Sequence, residues 1–172
     1  MTTLLVRVDD RLIHGQIVEA WIPYHNINQI IVADDEVFHD PFKKKIMGMS
    51  APPMVKVLIK TVADAVNYLK NDFLHPISAF RTMMLVSSIE AIDQAVKLGL
   101  PFNRLNLGNI HYQSGKTQIS ASISLNRQEV SLLDDISQRG ISIFVQPVPR
   151  IPPQDIFPLI RKKFMLSPES KG

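Results

Sequence analysis

The sequence predicts an α/β fold: an open, mostly parallel sheet with helices on both faces. Short apolar runs alternate with helix-patterned segments through most of the chain. The runs are apolar throughout rather than at every second residue, as in strands buried on both faces. The segments between them carry caps and helical spacing, so the connections read as crossovers, which join parallel strands. A length of 172 residues fits one domain, expected over 1–166 with a frayed tail over 167–172.

Leu4 to Val8 (LLVRV) reads as a buried strand. Asp9-Asp10 turns the chain, and Ile13, Ile17, Ala20 and Trp21 fall at helical spacing from a start near His14, with Pro23 as the stop and Trp21 in the core. Ile30 to Ala33 is the next strand, closed by Asp34-Asp35, which read as caps. Asp40-Pro41 opens a helix through Phe42, Ile46 and Met49, and the cluster Met47/Met49/Met54 is expected in the core. Met54 to Ile59 is a third strand, and Thr61 with Asp64 caps the helix after it. His75-Pro76 reads as a turn. Met83 to Val86 is a fourth strand, Ser87-Ser88 caps a helix, and Gly99 ends it. Arg104 to Leu107 is a fifth strand, and Ile119 to Ile123 a short extended segment. Asn126 and Glu129 form a capping box for a helix that stops at Gly140. Ile141 to Val145 is the last clear strand, and a final helix is expected over Gln154 to Phe164.

Composition narrows function. There is no cysteine, which excludes disulfides and thiolate nucleophiles. No run approaches 18 apolar residues, and the opening MTTLLVRVDD carries no secretory pattern, so a cytoplasmic location is expected. The net charge is +3; the runs Lys43-Lys44-Lys45 and Arg161-Lys162-Lys163 read as solvated helix faces, available to an acidic partner, and no nucleic-acid pattern is present. The five histidines lack HxxxH or HExxH spacing, so neither a metal nor a cofactor is expected.

In open parallel sheets ligands sit beyond the carboxyl ends of the strands. There the first loop stands out: Arg7-Val8-Asp9-Asp10-Arg11-Leu12-Ile13-His14-Gly15-Gln16 places two carboxylates, two arginines and a histidine together. Neither GxGxxG nor GxxxxGK[ST] occurs. His14 falls at a helix start, where the backbone N–H groups of Gly15 and Gln16 can hold an anion. Arg11 can fork onto phosphate oxygens. Asp9 or Asp10 would orient Arg11 or fix the imidazole tautomer. These are the parts a phosphoryl-accepting histidine needs: a neutral ring nitrogen attacks phosphorus, and donors stabilise the charge on its equatorial oxygens. The bland alternative is a capping histidine in a surface salt-bridge loop.

The segment RVDDRLIHGQ resembles the active-site signature of the IIB component of the mannose/fructose/sorbose family of bacterial sugar phosphotransferase systems. The resemblance continues through IIVADDEVFHDP, KTVADAV, LNLGNIHYQSGKTQIS and GISIFVQPVP, over roughly residues 3 to 150. It implies a phosphoryl carrier: His14, through Nδ1, receives phosphate from a phosphohistidine of IIA and passes it to a sugar held by the membrane components IIC and IID, with Arg11 stabilising the group. Contact with the membrane is then expected only through partners, and IIA is expected as a separate chain or domain. The family fold implies one antiparallel edge strand, placed here near Ile119 to Ile123. Asn109 stands where relatives often have a second glycine after Gly108; asparagine tolerates left-handed backbone.

A regulatory module phosphorylated on the same loop has identical acceptor chemistry, and a free-standing isomerase or hydrolase using His14 and Asp10 is a more distant reading. His39 and His111 lie in loops at the same end of the sheet, and neither is expected to carry chemistry.

Overall fold

A computed structural model describes residues 3–74 and 80–165. The turn expected at His75-Pro76 and the tail over 167–172 lie outside the described residues. In chain order the elements are β1 (Thr3–Asp9), a π-helical turn (Ile17–Trp21) running into α1 (Ile22–His25), β2 (Gln29–Ala33), α2 (Asp35–His39), α3 (Pro41–Met49), β3 (Lys56–Lys60), α4 (Val62–Leu74) and β4 (Arg81–Val86). They continue with α5 (Ile89–Lys97), β5 (Arg104–Asn109), β6 (Thr117–Gln118), β7 (Ser124–Leu125), α6 (Arg127–Gln138), β8 (Ser142–Val145), β9 (Gln154–Asp155) and α7 (Ile156–Met165).

Seven strands form one sheet in the order β3-β2-β4-β1-β5-β8-β9, parallel except for the last pair. Alternate residues of the central strands feed two cores. Val6, Val8, Ile31, Met84 and Val86 pack with Val66, Leu69, Ile89, Ile92, Leu133 and Ile156 from α4 to α7. Ile30, Val32, Met83 and Leu85 pack on the other face with Leu12, Ile17, Trp21 and Ile22. Burying both faces explains why these strands read as unbroken apolar runs.

The antiparallel edge strand is not at Ile119 to Ile123 but at Gln154–Asp155, paired to Phe144 and Val145. The expected segment instead closes on itself: the Ile119 and Ser120 N–H groups both donate to the Ile123 carbonyl, joining β6 to β7, with both isoleucines buried. Because Gln154 and Asp155 complete the sheet, α7 begins at Ile156 rather than Gln154, and Asp155 Oδ1 accepts the Phe157 N–H at 2.9 Å.

Pro23 does not stop the first helix, which continues to His25 and ends at Asn26 in the left-handed conformation (φ 52°). The wide turn ahead of it, closed by the Ile22 N–H on the Ile17 carbonyl, makes room for a proline that would crowd an ordinary helix. The methionines also differ from expectation. Met47 is half-buried against the Trp21-side core, whereas Met49 is 75% exposed on the other side of α3, which buries none of its residues, and Met54 is 80% exposed in the connection to β3.

The caps form where the sequence places them. Asp34, Asp40 and Ser88 accept N–H groups at the starts of α2, α3 and α5. Asn126 and Glu129 bond each other's backbone reciprocally at 2.8 Å, and Glu129 also holds Lys116 Nζ at 2.6 Å. Asn126→Ala is expected to lower stability by about 1 kcal/mol, read as a fall in urea midpoint at unchanged slope.

Candidate functional site

Residues two apart on a strand share a face, so Arg7 and Asp9 project together from the end of β1. Arg7 is fully buried. Its Nη1 donates to Asn106 Oδ1, the residue facing it across β5, and to the Gln146 carbonyl at 2.9 Å. Its Nη2 donates to Asp9 Oδ2 at 3.0 Å and to the Pro147 carbonyl at 3.1 Å. The guanidinium lies 4.7 Å from the centre of the Trp21 ring, whose Nε1–H donates to the same Pro147 carbonyl. Burial lowers the Arg7 pKa to about 10, with Asp9 opposing the fall, so the charge persists at neutral pH.

Four donors converge on the buried Asp9 carboxylate. Oδ1 accepts the Arg11 N–H at 3.2 Å and Arg11 Nε at 3.4 Å. Oδ2 accepts Arg7 Nη2 and His14 Nε2, each at 3.0 Å. Burial alone would raise the Asp9 pKa, but the hydrogen bond from His14 and the charge of Arg7 outweigh it and hold the group below the ordinary carboxylate range. A carboxylate only accepts, so His14 donates from Nε2, and in the neutral ring the lone pair then lies on Nδ1, where the Gln16 N–H points. The ring is at the rim, 16% exposed, and Nδ1 faces the Gln16 N–H at 3.4 Å.

Arg11 reaches both ends of this arrangement: its Nε is on Asp9 and its Nη2 donates to Gln16 Oε1 at 3.2 Å. The bend that permits this centres on Leu12, buried yet left-handed at φ 57°, whose N–H donates to the Asp9 carbonyl. Such a backbone costs a bulky residue about 1–3 kcal/mol and persists only where its surroundings enforce it. The first helical bond runs from the Val18 N–H to the His14 carbonyl, which puts Gly15 and Gln16 at the open end of the helix; space around Gly15 is clear to 4 Å.

Asp10 points elsewhere. It accepts the His111 N–H at 2.7 Å, His111 Nδ1 at 2.9 Å and Asn109 Nδ2 at 2.8 Å, tying the first loop to the end of β5. Between the two aspartates left open by the sequence, Asp9 holds the imidazole and Arg11, while Asp10 holds the neighbouring loop. Asn109 is not left-handed; it is extended in β5, and its side chain serves that tie. Asp35 accepts the Val62 N–H, and His39 Nδ1 meets the Asp35 carbonyl. Among the described residues no group of three or more histidine or acidic side chains is placed to hold a metal ion.

Arg7 belongs to the charged first-loop segment but gets no role from sequence, and neither do Asn106 and Gly108. The signal was a charged residue inside a fully apolar strand, which must find partners if it is buried. Gly108 is the space that Arg7 occupies: a Cβ there would lie 2.0 Å from both Cζ and Nη2. The guanidinium is pinned on four acceptors and cannot step aside. Gly108→Ala is expected to cost about 3 kcal/mol and to slow phosphoryl acceptance, measured by urea unfolding and by labelling rate.

The fold and the relatives define the class: a component of a sugar phosphotransferase system. The family described as PTS system sorbose subfamily IIB component matches residues 3–171. The chain is 34% identical over 158 residues to the N-acetylgalactosamine-specific phosphotransferase enzyme IIB component 2 of Escherichia coli K12, covering 91% of this chain and 98% of that protein. It is 34% identical over 164 residues to the sorbose-specific EIIB component of Lacticaseibacillus casei, covering 95% and 98%. The crystal structure of the IIBSor domain of the Klebsiella pneumoniae sorbose permease superposes with a TM-score of 0.85 at 27% identity over 94% of this chain and 98% of that one. This chain belongs to the sorbose subfamily of phosphotransferase-system IIB components, the phosphoryl carriers of sugar uptake, which work with IIA and membrane components. The mannose-specific EIIAB component of Escherichia coli K12, 30% identical over 158 residues, joins IIA and IIB in one chain and is matched over 48% of its length.

Proposed function

We propose that His14 Nδ1 is the phosphoryl acceptor, taking phosphate from the phosphohistidine of a IIA component and passing it to a sugar during uptake through IIC and IID. The observation that carries this is the bond from Nε2 to Asp9, which leaves the Nδ1 lone pair, facing only the long Gln16 N–H contact of 3.4 Å, as the nucleophile at the rim. In the first step the P–N bond of the donor breaks as Nδ1–P forms, with no net proton transfer. In the second a sugar hydroxyl oxygen bonds to phosphorus as the Nδ1–P bond breaks; His14 leaves as the neutral imidazole and the hydroxyl proton passes to solvent.

The developing charge has two classes of donor beside it: the Gln16 and Gly15 amides at the helix opening, and the Arg11 guanidinium, which spans Asp9 and Gln16. Asp9 supplies counter-charge on the far side of the ring, so the imidazole is oriented before the donor arrives. The reaction belongs to the cytoplasmic side, where the phosphoenolpyruvate-driven donors operate. Relatives named for N-acetylgalactosamine, sorbose, mannose and fructose match over nearly the same span. In this reading the chain supplies the phosphoryl chemistry and its partners the choice of sugar, which is consistent with relatives so named.

The test is to incubate the protein with phosphoenolpyruvate, the general phosphotransferase proteins and IIA, then map the product. One phosphate per chain, labile in acid and stable in base, on the peptide containing His14 is expected. Label on His111, or an acid-stable phosphate, would remove the proposal.

A further inference from the structure

After β8 the chain runs Gln146-Pro147-Val148-Pro149-Arg150-Ile151-Pro152-Pro153. Proline has no N–H, so backbone bonds alone close such a turn poorly. Within it the Ile151 N–H donates to the Val148 carbonyl at 3.2 Å. The side chain of Gln146 supplies two more bonds: its Nε2 donates to the Pro149 carbonyl at 3.2 Å and to the Ile151 carbonyl at 2.7 Å. On the outer side a cleft of about 460 Å³ lies between Val148, Pro149 and Arg150 and the first helix at Ala20 and Tyr24, so the helix does not press the turn shut there. Inward, the turn presents the seat of Arg7. The Gln146 carbonyl accepts Arg7 Nη1 at 2.9 Å and Asn106 Nδ2 at 3.3 Å. The Pro147 carbonyl accepts Arg7 Nη2 and the Trp21 Nε1–H, each at 3.1 Å. Successive carbonyls of an extended chain point opposite ways, so both meet one planar guanidinium because the chain turns here. Arg7 Nη2 also holds Asp9 Oδ2, the oxygen that takes His14 Nε2.

We propose that Gln146 is a positioning residue for phosphoryl transfer: by closing the turn after β8 it fixes the two carbonyls that aim Arg7, and through Arg7 and Asp9 it sets the His14 ring. The role rests on the carrier reading, with His14 as the acceptor. The two bonds of the amide are to backbone carbonyls, so its effect on the ring is indirect. Gln146 is half-buried, and the cleft beside the turn admits water to carbonyls left without the amide, so the fold survives its loss. What goes is the fixed spacing of the carbonyls at 146 and 147. Arg7 then meets Asp9 in more than one geometry, and the ring on the same carboxylate oxygen loses its single orientation. A reacting atom misplaced by about 1 Å slows a transfer by about a hundredfold, so a partial loss of order should cost about tenfold.

The experiment compares the full chain with Gln146→Met and Gln146→Glu, which keep the length of the side chain and remove its donors. Rapid-quench labelling by phosphorylated IIA, at varied IIA, should show a saturating rate about tenfold lower in both, with the half-saturating concentration within about twofold of wild type. Nitrogen-15 spectra of the His14 ring at about pH 8.5, above the ordinary imidazole range, should show one protonated and one bare nitrogen in wild type and signals drawn together in the variants. Asn126→Ala, whose cap on α6 stands outside this network, is the destabilised control and should keep the wild-type rate and ring spectrum. Variants labelled at the wild-type saturating rate, slowed through weaker IIA binding alone, or showing an unchanged ring spectrum overturn the proposal. So does an Asn126→Ala protein slowed as much as they are. A wild type that takes no phosphate on His14 removes the carrier reading and this role with it, whereas a labelled wild type beside unaffected variants removes the positioning role alone.

Discussion

His14→Ala is expected to fold normally and to accept no phosphate. The ring is at the rim, and its loss leaves Asp9 with the Arg7 and Arg11 donors in place. One charge-assisted hydrogen bond disappears, a cost of about 1–2 kcal/mol that a domain of this size tolerates. Chemistry has no such reserve, because removing the imidazole removes the nucleophile itself. Label transferred from phosphoenolpyruvate should fall to background while circular dichroism and the urea slope stay as in wild type. A variant labelled at the wild-type rate would move the acceptor to another residue.

Asp9→Asn should damage both stability and rate. Four donors point at this carboxylate, and an amide offers one acceptor oxygen and directs an N–H₂ at whichever donors remain. The buried Arg7 charge also loses its counter-ion. Breaking such a pair from one side costs about 3–5 kcal/mol. The imidazole loses the partner that fixes its tautomer, so phosphoryl acceptance should slow by about a hundredfold or more in the fraction that folds. The pH dependence supplies a signature. A carboxyl depressed in the folded state stabilises fully above its unfolded pKa, near 4, and that contribution is lost as pH falls through the folded value. The deficit of the variant should therefore be largest near neutrality and shrink below about pH 4. Parallel stability curves across that range would place the stabilisation somewhere other than Asp9.

Much of this was legible in the chain. The parallel sheet followed from apolar runs and capped crossovers, and the first loop followed from its concentration of acid, base and imidazole at a strand end. What was not legible depended on long-range partners. Periodicity cannot show that Arg7 meets the Gln146 and Pro147 carbonyls, or that Gly108 is small because a guanidinium fills its place. The edge strand was misplaced because two residues suffice to extend a sheet, and no pattern marks so short a strand. The α3 stripe misled for the opposite reason: its pattern is clear, but hydrophobic spacing gives a face and not what lies against it.

The acceptors that hold Arg7 come from residues 139 and 140 positions further along the chain. The first loop is therefore synthesised well before the acceptors that settle its orienting carboxylate. A chain halted short of residue 147 would hold the His14 loop with Arg7 lacking two of its acceptors, so the loop gains its final order only when the sheet closes over both ends of this stretch.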